Sequence, residues 1–115
     1  MFLGKTFTYE LIFHAVRARG VRCITMASTG CAATLLPGGR TVHNVWAIPV
    51  PTYSDSESRV DPLRPPAELK EARVYILDEA SMLLKHILEA MDQRLRQIHG
   101  KPSVPFGGVV MLLGQ

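Results

Sequence analysis

The 115 residues carry a formal net charge of +3 and a hydrophobic share of 47%, ordinary for a globular core and enough for one small domain or part of a larger one. Cys23 and Cys31 make no C-x-x-C pair, so neither a disulfide framework nor a zinc knuckle is indicated, and a reducing compartment fits best. No apolar run approaches the roughly 20 residues of a membrane span, "MFLGKT" lacks a signal-peptide pattern, and the mild basicity suits a phosphate-bearing partner as well as it suits a surface of solvated lysines and arginines. The chain is expected to be soluble and intracellular.

"KTFTYELIFHAVRARG" is the first predicted helix. Phe7, Leu11 and Ala15 recur at four-residue spacing, as do Ile12 and Val16, and Gly20 is a plausible stop. A buried strand comes next in "VRCITMAS", through Val21, Cys23, Ile24 and Met26. "GCAATLLPGG" is a short helix closed by Pro37 and two glycines. "RTVHNVWAI" has no firm assignment. Residues 49–66, "PVPTYSDSESRVDPLRPP", form a surface loop too long for an ordinary connection, hence functional or mobile. "AELKEA" is a short helix with Pro66 near its first turn. The strand "VYIL" comes after it. A helix over about Leu84 to Ile98 places Ile87, Leu88, Met91, Leu95 and Ile98 on one face. "HGKPSVPFGG" is a second loop, and "VVMLL" is a last apolar strand. Strands alternating with helices, the strands being continuously apolar, predict an α/β fold with a parallel sheet covered on both faces.

Three stretches carry chemistry. Gly4, Lys5 and Thr6 open the first predicted helix, where free amides and the helix dipole favour an anion. A G-K-T tripeptide there is the end of a phosphate-binding loop, with Lys5 reaching the β- and γ-phosphates and the Thr6 hydroxyl on Mg²⁺. Alone it is weak, because the glycine that completes the pattern would lie before Met1. The second stretch is "RVYILDEASM", an apolar strand running straight into Asp78 and Glu79. Adjacent carboxylates repel, and burial worsens the repulsion. Alone they are what a solvated strand end looks like. Behind a G-K-T helix and a second strand they become the partner of that loop. Asp78 would then hold Mg²⁺, and Glu79 would orient or deprotonate the attacking water. The third stretch, Ala27 to Asn44, puts small residues and hydroxyls at the end of a strand, the edge where open α/β sheets bind ligands. Ser28 or Thr29 also suits a helix N-cap there. Arg40, Thr41, His43 and Trp46 add charge and stacking groups suited to single-stranded nucleic acid, although for His43 a structural role fits equally.

Taken in order, "GKTFTYE", "ASTGCAATLLPGGRTVH", "LDEASM" and "FGGVVMLLG" resemble the PIF-type 5′→3′ DNA helicases. The "AATLLPGGRTVH" form is similar to the branch associated with Helitron transposons. The resemblance implies a RecA-like phosphate-loop domain. It also implies ATP-driven movement along single-stranded DNA, in repair, recombination and telomere maintenance, with Mg²⁺ and ATP as requirements and the nucleus as the expected location. Carried over by position, Gly4, Lys5 and Thr6 bind nucleotide. Thr6 and Asp78 hold the metal. Lys5, Asp78 and Glu79 are catalytic. Thr29, Gly30, Thr41 and His43 contact DNA. The last strand is expected beside "VYIL".

The chain departs from the family pattern at both ends. Met1, Phe2 and Leu3 stand where the family has glycine-rich residues. After Gly114 the family continues with an aspartate and, shortly after, a glutamine that senses the γ-phosphate, then a second RecA-like domain with arginine fingers, whereas this sequence stops at Gln115. The expectation is a fragment, residues 1–115, of the first domain. The competing expectation is a degenerate transposon-derived remnant without catalysis.

Overall fold

The computed structural model describes residues 2–27, 33, 36, 38–48, 57–78 and 84–114, the side chains of 2–7 and 84 excepted. Helix α1 (Phe2–Ala18) leads into strand β1 (Cys23–Ala27). Strand β2 (Arg40–Thr41) runs directly into the short helix α2 (Val42–Trp46), which gives the unassigned "RTVHNVWAI" a strand end and then a helical turn. Helix α3 (Ala67–Glu71), strand β3 (Val74–Asp78), helix α4 (Leu84–His99), a 3₁₀ turn (Pro105–Gly108) and strand β4 (Val110–Leu113) complete the order. All strand pairs are parallel and the sheet order is β2-β1-β3-β4, so β4 lies beside β3 as expected.

Strand periodicity divides the core into two. Successive side chains of a strand point to opposite faces. Cys23 and Ala27 of β1 and Ile76 of β3 therefore meet α1, through Tyr9 with Ile12, Phe13 and Val16 at its rim. Ile24, Met26, Tyr75 and Leu77 point the other way, onto Trp46, Leu69 and the α4 face built from Ile87, Met91 and Leu95. That α4 face is the predicted one, with Leu88 and Ile98 at its margin. The result is a sheet covered on both sides, as its continuously apolar strands require.

Two expectations are corrected. The first helix starts at Phe2 instead of at Lys5, so Gly4, Lys5 and Thr6 lie within its opening turns. From Thr6 onward the amides point back along the helix to the carbonyl four residues earlier. Phe2 and Leu3 tolerate helix well, and no stop separates them from Gly4, Lys5 and Thr6. The second correction concerns the long loop. Its part beyond residue 56 is anchored: Ser58 and Val60 are buried, the Ser58 hydroxyl donates to the Trp46 carbonyl at 2.5 Å, and Arg94 donates to the Ser58 carbonyl at 2.5 Å. The second loop is likewise fixed on α4. Asp92 Oδ1 accepts both the Phe106 amide at 2.6 Å and Arg96 Nε at 2.9 Å. Residues 49–56 lie outside the described residues, as does most of "GCAATLLPGG".

Candidate functional site

Parallel pairing brings the C-terminal ends of the strands to one edge. Ala27 is in register with both Thr41 and Asp78, and Leu77 with Leu113. At this edge the strand period decides which face each residue serves. Asp78 lies two positions beyond Ile76, so it is on the α1 side, and it is buried to 6% exposure. A buried carboxylate needs hydrogen-bond donors or a cation to offset its desolvation. One donor comes from α1, where the Tyr9 hydroxyl donates to Asp78 Oδ1 at 3.2 Å. Burial pushes the Tyr9 phenol up to about 12, and the Asp78 charge and hydrogen bond add to the rise. Tyr9 is therefore a neutral donor at any ordinary pH.

The end of β4 closes over this pair. The Gly114 amide donates to the Leu77 carbonyl at 2.8 Å. A Cβ on Gly114 would collide with Tyr9 Oη and stand 3.2 Å from Asp78 Oδ1. No side chain fits there, so glycine is required by close approach. Three elements thus converge on one phenol: α1, the end of β3 and the residue after β4. Among the described residues, no three His, Cys, Asp or Glu side chains gather. A divalent ion at this edge would depend on a carboxylate such as Asp78, with water and phosphate oxygens for the rest. That is the manner in which Mg²⁺ is ordinarily held, so the donor set fits.

The other sequence candidates divide into three groups. Gly4, Lys5 and Thr6 lie on the helix that carries Tyr9, about one turn before it. Thr41 stands on the same edge as Asp78, where its Oγ1 caps α2 by accepting the Asn44 amide at 3.2 Å. His43 lies in α2, its Nδ1 3.3 Å from the Ile48 carbonyl, a structural contact of the kind its sequence reading allowed. Thr29, Gly30 and Glu79 lie outside the described residues, as does Gln115.

The structure corrects one member of the expected nucleic-acid surface. Trp46 has no exposed surface and is no stacking platform. Its indole packs against Tyr75 with ring centroids 5.7 Å apart, and its Nε1 donates to Met26 Sδ at 3.3 Å. The reason lies in the period of α2: Val42, Val45 and Trp46 form its inward side. Arg40 donates to Glu68 Oε1 at 2.6 Å, with both side chains partly exposed. Tyr9 and Gly114 were not anticipated. The available signal was Tyr9 itself, one turn before Phe13 on the apolar side of α1. A phenol drawn into a core usually brings its hydroxyl to a partner.

Among the described residues no helix is long and apolar enough to cross a membrane. A sequence model of the PIF1-like helicase family matches residues 3–115. The ATP-dependent DNA helicase PIF4 of Trypanosoma brucei brucei is 33% identical over 117 aligned residues, which cover 96% of this chain and 14% of that protein. Pif1 from Bacteroides bound to single-stranded DNA superposes with a TM-score of 0.71 at 27% identity, over 95% of this chain and 26% of that one. Bacteroides Pif1 in complex with ADP-AlF4 gives 0.69 at 26% identity, over 95% and 25%. The chain therefore spans a small part of the proteins it resembles, and its α/β sheet has the fold of their RecA-like domains.

Proposed function

Because the chain belongs to the PIF1-like helicase family, we propose that it is part of the first RecA-like domain of an ATP-dependent 5′→3′ DNA helicase. In that reading ATP hydrolysis drives movement along single-stranded DNA and duplex unwinding, in repair, recombination and telomere maintenance. The observation that supports it is the burial of Asp78 at the C-terminal sheet edge, hydrogen-bonded to the helix whose opening turns carry Gly4, Lys5 and Thr6. A carboxylate buried beside an apolar core is costly, and a cation-binding role gives it a purpose.

Each of the chain's own residues has a part in this chemistry. Gly4 and the first amides of α1 face the nucleotide phosphates, and Lys5 neutralises them as a point charge. Asp78 and the Thr6 hydroxyl would hold Mg²⁺, which when bound neutralises charge developing on the phosphate oxygens. Glu79 orients the attacking water and accepts its proton. Thr29, Gly30, Thr41 and His43 are the residues that contact single-stranded DNA in this reading. The bound DNA and ADP-AlF4 named for the Bacteroides relatives support these two ligands for the present chain. The form of Ala32 to His43 supports the Helitron-associated branch. The test is DNA-stimulated ATP hydrolysis and unwinding by this chain joined to a phosphate loop and a second RecA-like domain. Lys5→Ala should abolish both, and unchanged hydrolysis in that variant would refute the assignment.

A second reading has its own observation. Helix runs unbroken from Phe2 through Thr6, where a phosphate loop would turn its amides inward. That favours a remnant with weak nucleotide binding, and tight Mg²⁺-dependent ATP binding by the 115-residue chain would exclude it.

A further inference from the structure

We propose that Tyr9 is a positioning residue, whose hydroxyl fixes the orientation of the Asp78 carboxylate for a divalent cation. The inference rests on the reading of Asp78 as a metal-holding carboxylate. It starts from the geometry at the sheet edge, where Tyr9 Oη donates to Asp78 Oδ1 at 3.2 Å and both residues are buried. A carboxylate turns readily about its last torsion, which has broad wells. A hydrogen bond from a packed phenol removes that freedom.

The chemistry of the donor matters as much as its position. Lys or Arg at this place would also hold the carboxylate, but each would neutralise its charge and repel a cation. A phenol orients Asp78 and leaves its negative charge in place. Tyr9 is itself held. Its ring lies in the α1 core with Ala27 and Ile76, and the Gly114 backbone closes over its hydroxyl so tightly that a Cβ would collide with it. The phenol therefore links the ends of β3 and β4 to α1. Groups that orient metal ligands in this way typically contribute about 10- to 100-fold to metal affinity.

The test is a Mn²⁺ titration of the 115-residue chain, read by the electron paramagnetic resonance of free Mn²⁺, with circular dichroism as the check on folding. Tyr9→Phe keeps the ring and removes the donor, and should weaken Mn²⁺ about tenfold, the lower end of that range. Gly114→Ala drives a methyl into the hydroxyl's place and should weaken it similarly. The double variant should add little, because both act through one contact. Asp78→Asn is the control and should remove the binding. If Asp78→Asn weakens Mn²⁺ and Tyr9→Phe binds like the parent, Tyr9 is a core residue only, and the inference fails while the metal reading stands. If Asp78→Asn and the parent behave alike, bound or unbound, the metal reading itself fails and takes the inference with it.

Discussion

Trp46→Ala separates a core residue from a DNA-stacking one. The indole is fully buried, packed on Tyr75 at 5.7 Å between centroids and hydrogen-bonded to Met26. A tryptophan buries about 150–250 Å². At ~25 cal/mol per Å² that is about 4–6 kcal/mol as an upper bound. Measured Trp→Ala changes in cores fall at about 3–5 kcal/mol, since the cavity relaxes only partly. Small domains have about 5–15 kcal/mol in all, so the variant should be near the edge of unfolding at 25 °C. The assay is urea denaturation monitored by far-ultraviolet circular dichroism, because the only tryptophan is removed. The companion measurement is single-strand binding by a variant that retains the bulk, Trp46→Phe, which should match the parent. A stability loss below about 1 kcal/mol for Trp46→Ala, far under the range for buried aromatics, would refute the packing account. So would a stable Trp46→Phe variant that no longer binds DNA.

Two further outcomes concern other parts of the sheet. Val110 and Leu113 of β4 are 59% and 46% exposed, and β4 pairs only with β3 among the described residues. Such an apolar edge recruits other strands, so the 115-residue chain should associate at micromolar concentration and Val110→Lys should reduce this; a monodisperse parent monomer in light scattering would count against it. Alkaline stability should reflect Tyr9. Its folded value of about 12 lies above the ordinary 10.0, so the stability it contributes is complete below pH 10 and is lost as pH rises towards 12. Burial raises Tyr75 in the same direction. Phenolate absorbance from these two should therefore appear only with unfolding, and early ionisation of both in the folded chain would contradict the buried hydrogen bonds.

The parts of the fold legible in the sequence were those with strong periodicity. The α4 stripe from Ile87 to Ile98 and the apolar strands around Cys23, Val74 and Val110 needed no tertiary information. The conflict at Asp78 was legible for another reason: a carboxylate stands at the end of an apolar strand, and the structure buries it there. Trp46 was misread because residue type alone does not say which way a short helix turns, and the partner of Arg40 was not legible because it lies far off in the chain. Arg40 meets Glu68, 28 positions away. Tyr9 was missed because it looks like another apolar residue of α1, and only the parity of β3 brings Asp78 under its hydroxyl. Gly114 was missed because its constraint is a contact with α1, far away in the chain. The helix start was misplaced because no residue between Phe2 and Lys5 marks a boundary.

The central claim is the proposal that Asp78 and Glu79 serve ATP hydrolysis. The measurement that tests it is nucleotide affinity together with DNA-stimulated ATPase rate, for Asp78→Ala and Glu79→Gln, in this chain joined to a phosphate loop and a second RecA-like domain. Asp78→Ala removes a metal-positioning charge and should lower both Mg²⁺-dependent binding and turnover. Glu79→Gln keeps size and hydrogen bonding but accepts no proton. It should bind ATP almost as the parent does and hydrolyse it roughly 10²-fold or more slowly, the scale of losing a general base. Hydrolysis by Glu79→Gln at the parent rate would contradict the account and leave the pair without a catalytic role.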